Sequence, residues 1–215
     1  MKKIINEPTQ VVDEMLQGLS FMHDDLVERL DGFDVIVRKA EKTGKVGLIS
    51  GGGSGHEPSH AGFVGDGMLS AAICGAVFTS PTPDQILEAI KAADEGAGVF
   101  MVIKNYSGDI MNFEIAQELA EMEGIDVDGP IPPDSVFGKT LNGVYDAAVA
   151  MYHDQGHIAA KLQFMSQCVN CTIGLPIIRT SVDHGTAFDI AGKGIADGTN
   201  MKQAMLVAEE FMKNR

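Results

Sequence analysis

Apolar positions occur along the chain in two kinds of block, short continuous runs and longer segments with helical spacing. The runs at residues 46–49 and 98–103 have the length and composition of buried strands. In segments 9–21 and 113–122 the apolar residues recur as they do on the buried face of a helix. Strands that alternate with helices favour a parallel sheet covered on both faces. The pattern therefore predicts an α/β fold, a three-layer α/β/α sandwich with a mostly parallel sheet.

Weaker stretches of the same pattern predict further elements. These are a short helix at 25–30, strands at 125–127 and 147–151, a polar loop at 152–157 and a terminal helix at 201–212. A proline-rich stretch at 129–134 interrupts the pattern and indicates a junction. We therefore expect two segments, 1–127 and 128–215, packed as one α/β domain around one continuous sheet.

A glycine-rich stretch, Ser-Gly-Gly-Gly-Ser-Gly-His-Glu-Pro at 50–58, follows the first of these strands. Three consecutive glycines remove the Cβ atoms from a predicted turn, so a small molecule can approach the backbone amides. Pro58 is typical of a helix's first turn, and that helix would direct its amino end toward the same space. His56 adds a titratable group, which favours chemistry on a polar ligand over a plain phosphate cradle. The structural alternative for His56 is a side chain hydrogen-bonded to backbone at a helix start.

A second polar loop follows the strand at 98–103. It contains Lys104 and Asp109. Because parallel strands end at the same edge of a sheet, both loops would emerge where open α/β folds bind their ligands. We therefore expect Lys104 and Asp109 to lie near His56.

Three blocks in this part of the chain resemble a known family. SGGGSGHEP at 50–58, FTSPTPDQ at 78–85 and KNYSGDIMNFE at 104–114 are similar to dihydroxyacetone kinase, in the amino-terminal part of its substrate-binding subunit or domain. The resemblance runs over residues 1–127. In that family a further histidine, in a later part of the domain, holds the ketone covalently, and the resemblance stops before it.

The resemblance to dihydroxyacetone kinase implies a triose site. It implies that His56 and Asp109 assist proton transfer from the triose hydroxyl. The positions that it implies as substrate contacts are Gly53, Ser54, Gly55 and Lys104. The phosphoryl donor belongs to a separate domain or subunit in that family.

The segment 128–215 resembles a different family. GPIPPDSVF at 129–137, AMYHDQGHI at 150–158 and VNCTIGLPIIRTSVDHGTAFDIAGKGIA at 169–196 are similar to 4-hydroxythreonine-4-phosphate dehydrogenase and its phospho-threonate relatives. That resemblance implies NAD-dependent oxidation of a secondary alcohol followed by decarboxylation, with a divalent metal polarising the developing ketone.

The second resemblance also implies site residues. It implies that His153 is one of three histidine ligands of the metal. The positions implied to contact a phosphorylated substrate are Lys161, Asn170 and Arg179. The other two metal histidines and part of the nicotinamide site lie in the portion of that family which kinase-like sequence replaces here. We therefore expect no bound cofactor, and a divalent metal and NAD only where a partner completes the site.

These observations favour a chimera, designed or recombined, of two enzyme fragments. At most it would retain vestigial binding of dihydroxyacetone and of phosphate, and whether it is an enzyme stays open. One alternative is a dihydroxyacetone (glycerone) kinase substrate-binding subunit, a transferase component. The other is a fragment of an NAD- and metal-dependent dehydrogenase of 4-phosphorylated hydroxy acids, an oxidoreductase that works only in an assembly.

Composition and charge limit the classes of molecule that the protein is expected to bind. The net charge of −14 argues against nucleic acid and anionic membranes. The amino terminus lacks the apolar core of a signal peptide and no run reaches membrane-spanning length, so a cytoplasmic location is expected. The expected partner is a small polar or phosphorylated metabolite, and a homo-oligomer is compatible with the sequence. Cys168 and Cys171 have CxxC spacing in a strand-like context, which does not favour a redox or zinc role.

Overall fold

The chain divides into two compact units, one ending at Ile131 and one beginning at Pro132. The structure is a computed structural model that describes residues 3–41 and 43–214. The five-stranded sheet lies within the first unit, and a separate two-stranded sheet lies within the second. The prediction of one continuous sheet is therefore wrong. Its physical basis was a strand at 125–127, but these residues form no strand.

The first unit is built on a sheet with strand order β1-β2-β4-β3-β5. β3 pairs in parallel with both β4 and β5. β2 is antiparallel to β4 and to β1, so β2 alone runs against the other four strands. The strands are β1 Val27–Arg29, β2 Val35–Arg38, β3 Gly47–Ser54, β4 Ala71–Val77 and β5 Val99–Val102.

Helices cover both faces of this sheet. They are α1 Val11–Met22, α2 Pro83–Ala93 and α3 Ser107–Met122. On one face α2 and α3 pack on the sheet around a core that includes Ile49, Ile73, Ile86 and Phe113. On the other face α1 inserts Leu16, which is completely buried, into a second core. The predicted α/β/α sandwich with a mostly parallel sheet is confirmed.

Local chemistry explains where α2 begins. Pro83 occupies the first turn, where the missing N–H costs nothing. The Gln85 side chain accepts a hydrogen bond from the Thr82 N–H at 3.1 Å, satisfying one free backbone donor. The buried residues Ile86, Leu87 and Ile90 then lie on the sheet side.

Three local predictions in the first unit are wrong. Residues 25–30 contain strand β1 instead of a helix, because Val27 is needed as a buried partner opposite β2. The three glycines at 51–53 belong to strand β3 and not to a turn. Pro58 begins no α-helix; a short 3₁₀ turn, Ala61–Phe63, follows it.

The second unit contains helices α4 Val136–Leu141, α5 His153–Phe164 and α6 Thr199–Lys213, with strands β6 Val169–Thr172 and β7 Arg179–Val182. β6 and β7 are antiparallel, and α6 packs against them: the Thr180 hydroxyl donates to the Ala204 carbonyl at 2.8 Å. The terminal helix is confirmed. Residues 147–151 form no strand, and the predicted loop at 152–157 is the start of α5.

A cap explains the beginning of α5. The Gln155 amide oxygen accepts hydrogen bonds from the backbone N–H groups of Met151 and Tyr152, at 3.0 and 3.1 Å. Polar residues at 152–157 are thus typical of a helix start, where free N–H groups need acceptors.

None of the helices described in 3–41 and 43–214 is long and apolar enough to cross a membrane.

Candidate functional site

A site forms at the carboxyl end of β3, which extends beyond the last residue that pairs with β5. β3 and β4 remain paired to Ser54↔Val77, whereas β3 and β5 pair only to Ser50↔Val102. The last part of β3 therefore lacks β5 beside it, and the loop after β5 carries Lys104 back toward the glycines. A Cβ atom built on Gly52 would overlap the Lys104 Cε and Nζ atoms. Glycine at this position makes room for the lysine.

A small cavity of about 170 Å³ opens at this point. Its lining residues are His56, Ser59, His60, Lys104 and Tyr106. The Lys104 ammonium also lies 5.7 Å from the centre of the Tyr106 ring, within cation–π range. The predicted neighbours His56 and Lys104 thus line one cavity at the carboxyl edge of the sheet.

Asp109 lies in the first turn of α3 and is only 3% exposed. Its Oδ1 atom has no hydrogen-bond partner among the residues that the structure describes. The positive amino end of α3 favours a carboxylate at this position. A buried carboxylate oxygen with no partner is costly, and such atoms concentrate at functional sites.

His60 is the residue that sequence reasoning missed. Its Nε2 atom is buried, has no hydrogen-bond partner in the described part of the chain, and lies 3.2 Å from the Cβ position of Gly52. Burial lowers the pKa of His60, and the nearby Lys104 charge lowers this pKa further, while Asp109 acts in the opposite direction. His60 therefore lies close enough to both Lys104 and Asp109 for their charges to act on its pKa. Its only signal in the sequence is a second histidine in the run His-Glu-Pro-Ser-His.

The other predicted contacts of the glycine stretch have structural partners. The Ser54 hydroxyl donates to the Gly75 carbonyl at 2.7 Å. The Gly55 N–H donates to the Glu57 carboxylate at 3.0 Å. A Cβ on Gly53 would lie 2.6 Å from the Thr79 nitrogen, so glycine there lets another backbone segment pass. Part of the glycine run therefore serves packing.

His56 lies on the exposed side of the same region. Its ring makes an edge-to-face contact with Phe78, with the centroids 5.2 Å apart. Phe78 has a positive φ of 51° and begins the segment that passes over Gly53. This contact holds the imidazole at the cavity wall.

Cys74 lies on β4, directly opposite Gly52 in the β3–β4 register. Burial raises the pKa of the Cys74 thiol to about 12. The thiol is therefore neutral at pH 7 and is not a nucleophile.

In the second unit, His153 and His157 stack on successive turns of α5 with ring centroids 3.9 Å apart. His153 Nδ1 lies 2.9 Å from the carboxylate of Asp154, and His157 Nδ1 lies 3.5 Å from the carboxylate of Asp183. The described residues contain no group of three or more His, Cys, Asp or Glu side chains that could hold a metal ion. The donors around His153 thus do not fit the divalent metal of the dehydrogenase family.

Two of the three predicted phosphate contacts share one surface. Opposite residues of β6 and β7 point to the same face, so the registers Asn170↔Ser181 and Thr172↔Arg179 place Asn170 and Arg179 together. Arg179 Nη1 donates to the Thr172 hydroxyl at 2.9 Å on this face. Lys161 is engaged differently: its Nζ donates to the Asp183 carbonyl at 3.0 Å.

The CxxC cysteines are free thiols. The Cys168 thiol donates weakly to the Ala160 carbonyl at 3.5 Å, and burial raises its pKa, with a further increase from Asp183. A raised pKa reduces the thiolate fraction, which argues against a redox role.

Two family models match the chain. The Dak1 domain matches residues 17–142, and the pyridoxal phosphate biosynthetic protein PdxA matches residues 109–208. The matches overlap at 109–142, which includes most of α3. Both resemblances drawn from the sequence are confirmed, and the chain has a two-part composition.

Individual relatives agree with these matches. The chain is 64% identical over 135 residues to the dihydroxyacetone-binding subunit of a PTS-dependent dihydroxyacetone kinase from Lactococcus lactis, covering 63% of this chain and 41% of that protein. It is 55% identical over 94 residues to a Halalkalibacterium halodurans protein named "Putative D-threonate 4-phosphate dehydrogenase", covering 44% of this chain and 28% of that protein. The chain thus spans less than half the length of either relative.

A solved structure shares the fold of the first part. The crystal structure of the dihydroxyacetone kinase from C. freundii, in complex with AMP-PNP and Mg²⁺, superposes with a TM-score of 0.55 at 40% sequence identity. The superposition covers 59% of this chain and 24% of the kinase chain.

Proposed function

This chain belongs, over residues 17–142, to the Dak1 domain family, and we propose that its amino-terminal unit binds dihydroxyacetone weakly in the cavity beside Gly52. The observation that carries the proposal is the cavity of about 170 Å³ lined by His56, His60 and Lys104, with the buried Asp109 carboxylate close enough to act on the pKa of His60. Drug-sized ligands occupy pockets of roughly 300–1,000 Å³. A cavity smaller than these suits a triose better than a nucleotide.

The side chains around the cavity match the chemistry of a neutral hydroxyketone. The Lys104 ammonium is a donor for a carbonyl or hydroxyl oxygen. Asp109 is an acceptor with an unpartnered oxygen, and His56 can accept or donate. Asp109 and His56 are thus the groups that would accept the hydroxyl proton when a phosphoryl donor is supplied by a partner. The Lactococcus relative, named as a dihydroxyacetone-binding subunit, supports this ligand.

Affinity is expected to be low. A ligand of this size makes few contacts, and association costs several kcal/mol before any contact is counted. The histidine that holds the ketone covalently in the kinase family is not matched in this chain. We therefore propose binding without turnover by the chain alone, and a kinase substrate-binding role only with a phosphoryl-donor partner.

Calorimetric titration with dihydroxyacetone tests this proposal. We expect saturable heats for the wild type and their loss in Asp109→Ala. Asp84→Ala is the matched control, because Asp84 also lies in the first turn of a helix, α2, but is exposed. Equal heats for wild type and Asp109→Ala would refute a site at this carboxylate.

A second binding function is proposed for the second unit, which we infer holds phosphate weakly on the face shared by Asn170 and Arg179. Arginine forms charge-assisted hydrogen bonds with phosphate, and an amide adds a neutral donor. Lys161 supports this surface less directly, since its ammonium is hydrogen-bonded to Asp183. We propose a chimeric origin, designed or recombined, from two enzyme fragments, which would account for both partial sites.

Dehydrogenase activity is the alternative for this unit. Without a matching donor set around His153, we propose that NAD and a divalent metal act only when a partner completes the site. NAD reduction with a 4-phosphorylated hydroxy acid and added divalent metal should stay at background. Turnover that is lost in His153→Ala would overturn the proposal. We further propose a cytoplasmic location for this acidic chain, with neither nucleic acid nor membrane as a partner, and a homo-oligomer is compatible with it.

A further inference from the structure

His60 combines three properties that packing alone does not require. It lines the cavity, its Nε2 atom is buried, and that atom has no hydrogen-bond partner among the described residues. A buried polar atom without a partner costs free energy that a purely structural side chain would not need to spend. An apolar side chain would fill the same space without that cost.

The position of His60 relative to Lys104 is set by Gly52. Both the His60 Nε2 atom and the Lys104 Nζ atom lie close to the point that a Gly52 Cβ would occupy. The two nitrogens are therefore neighbours on one wall of the cavity. A small ligand that accepts a hydrogen bond from Lys104 would bring a second oxygen near His60.

The protonation state of His60 suits contact with a neutral ligand. Three charged or titratable groups act on it: Lys104 and His56 disfavour its protonated form, and Asp109 favours it. Burial is the largest influence and lowers the pKa of His60 below 6.5. A neutral imidazole at pH 7 can donate or accept through Nε2, depending on its tautomer.

We propose that His60 is a ligand-binding residue, whose Nε2 atom forms a hydrogen bond with one oxygen of the bound triose beside the oxygen held by Lys104. This inference rests on the proposed dihydroxyacetone site. It adds a specificity-determining contact: ligands with oxygens on adjacent carbons can satisfy Lys104 and His60 together, and a monohydric alcohol or ketone cannot.

Two substitutions separate hydrogen bonding from packing. His60→Gln places an amide near the position of Nε2, and His60→Phe keeps a ring but removes the nitrogen. A neutral hydrogen bond corresponds to an affinity loss of roughly 2- to 10-fold. We expect His60→Phe to bind dihydroxyacetone weaker by that factor and His60→Gln to retain most of the affinity. The reverse order would show that the ring packs and does not bind.

The decisive measurement is ¹⁵N NMR of the imidazoles during a titration of the intact chain with dihydroxyacetone. We expect the His60 Nε2 resonance to shift, saturating at the same concentration as the Gly53 and Lys104 amides. His184→Gln, which alters an exposed histidine of the second unit, is the control and should titrate as the wild type does. Amides that shift while the His60 Nε2 resonance stays constant would overturn the role of His60 and leave the proposed function standing. A titration in which no resonance responds would overturn both.

Discussion

Gly52→Ala should separate binding from stability. The added methyl group would overlap the Lys104 Cε and Nζ atoms and lie 3.2 Å from His60 Nε2. The end of a lysine side chain is flexible, so it can move away without displacing the backbone. The methyl group would nevertheless occupy the space where the lysine contributes to the cavity.

The magnitudes follow from what the methyl group meets. Overpacking typically costs about 1–3 kcal/mol when the surroundings cannot move, and replacing a strand glycine with alanine recovers roughly 0.5–1 kcal/mol. Because Lys104 can move, we expect Gly52→Ala to change the free energy of unfolding by less than about 1 kcal/mol. Loss of a hydrogen bond from a charged donor costs about 1.5–3 kcal/mol, which corresponds to roughly 10- to 150-fold weaker binding of dihydroxyacetone.

Gly53→Ala is the matched control, one residue along the same strand. Its methyl group would lie 2.6 Å from the Thr79 nitrogen and 2.9 Å from the Phe78 carbonyl carbon. These are backbone atoms, so no rotamer change relieves the overlap. We expect a loss of about 1–3 kcal/mol in stability, visible in urea denaturation as a lower midpoint.

The assay pairs urea denaturation with calorimetric titration for the wild type and both variants. The expected result is a Gly52→Ala protein with nearly wild-type stability and little binding, and a Gly53→Ala protein with clearly reduced stability. Wild-type affinity in Gly52→Ala would refute the placement of Lys104. Equal destabilisation of both variants would refute the distinction between side-chain and backbone neighbours.

Three further predictions concern other parts of the chain. Because the folded-state pKa of His60 is lowered, the unfolded chain takes up a proton at His60 before the folded protein does as pH falls through 6.5. The free energy of unfolding should therefore decrease as pH falls through that range. Urea midpoints measured across the range should decrease less in His60→Gln than in the wild type. Phosphate should raise the melting temperature of the second unit, and Arg179→Ala should remove the increase, whereas an equal shift in both proteins would indicate a nonspecific salt effect. Limited proteolysis near Ile131 should release a stable first unit. The second unit should be degraded, because only Asn200 and Ala204 are buried among its described residues. Survival of both fragments would contradict this prediction.

Periodicity predicted the first unit well because its elements are locally consistent. The helix α1, Val11–Met22, covers most of the predicted helical segment 9–21 and buries Leu16 from its apolar face, so pattern and structure agree. Strand β5, Val99–Val102, likewise lies within the continuous apolar run at 98–103. The layers of the sandwich follow from these elements.

Predictions failed where distant contacts override local preference. Three glycines are typical of a turn, yet Gly51–Gly53 continue a strand because Ile73, Lys104 and the Phe78–Thr79 backbone occupy the space that side chains would need. The residue types at positions 51–53 do not predict which distant residues pack against them.

The candidate site shows the same division. Polar residues after strands, together with the family motifs, predict His56, Lys104 and Asp109 as site residues. His60 has no local feature that marks it, and its importance depends on the turn that returns it to Gly52. The predicted phosphate contacts rest on a family resemblance, which carries no information on side-chain partners, so the sequence does not predict the hydrogen bond from Lys161 to Asp183.

Backbone amide NMR of the isotope-labelled chain during titration with dihydroxyacetone tests the central proposal most directly, because it locates the ligand as well as detecting it. The account predicts saturable shifts confined to three regions: the end of β3 at Gly52–Ser54, the turn at Ser59–His60, and the segment from Lys104 to Asp109. Acetone, whose single oxygen cannot contact Lys104 and His60 together, should produce smaller shifts at the same concentrations. Shifts that do not saturate, or that lie in the second unit and leave these regions unchanged, would contradict it.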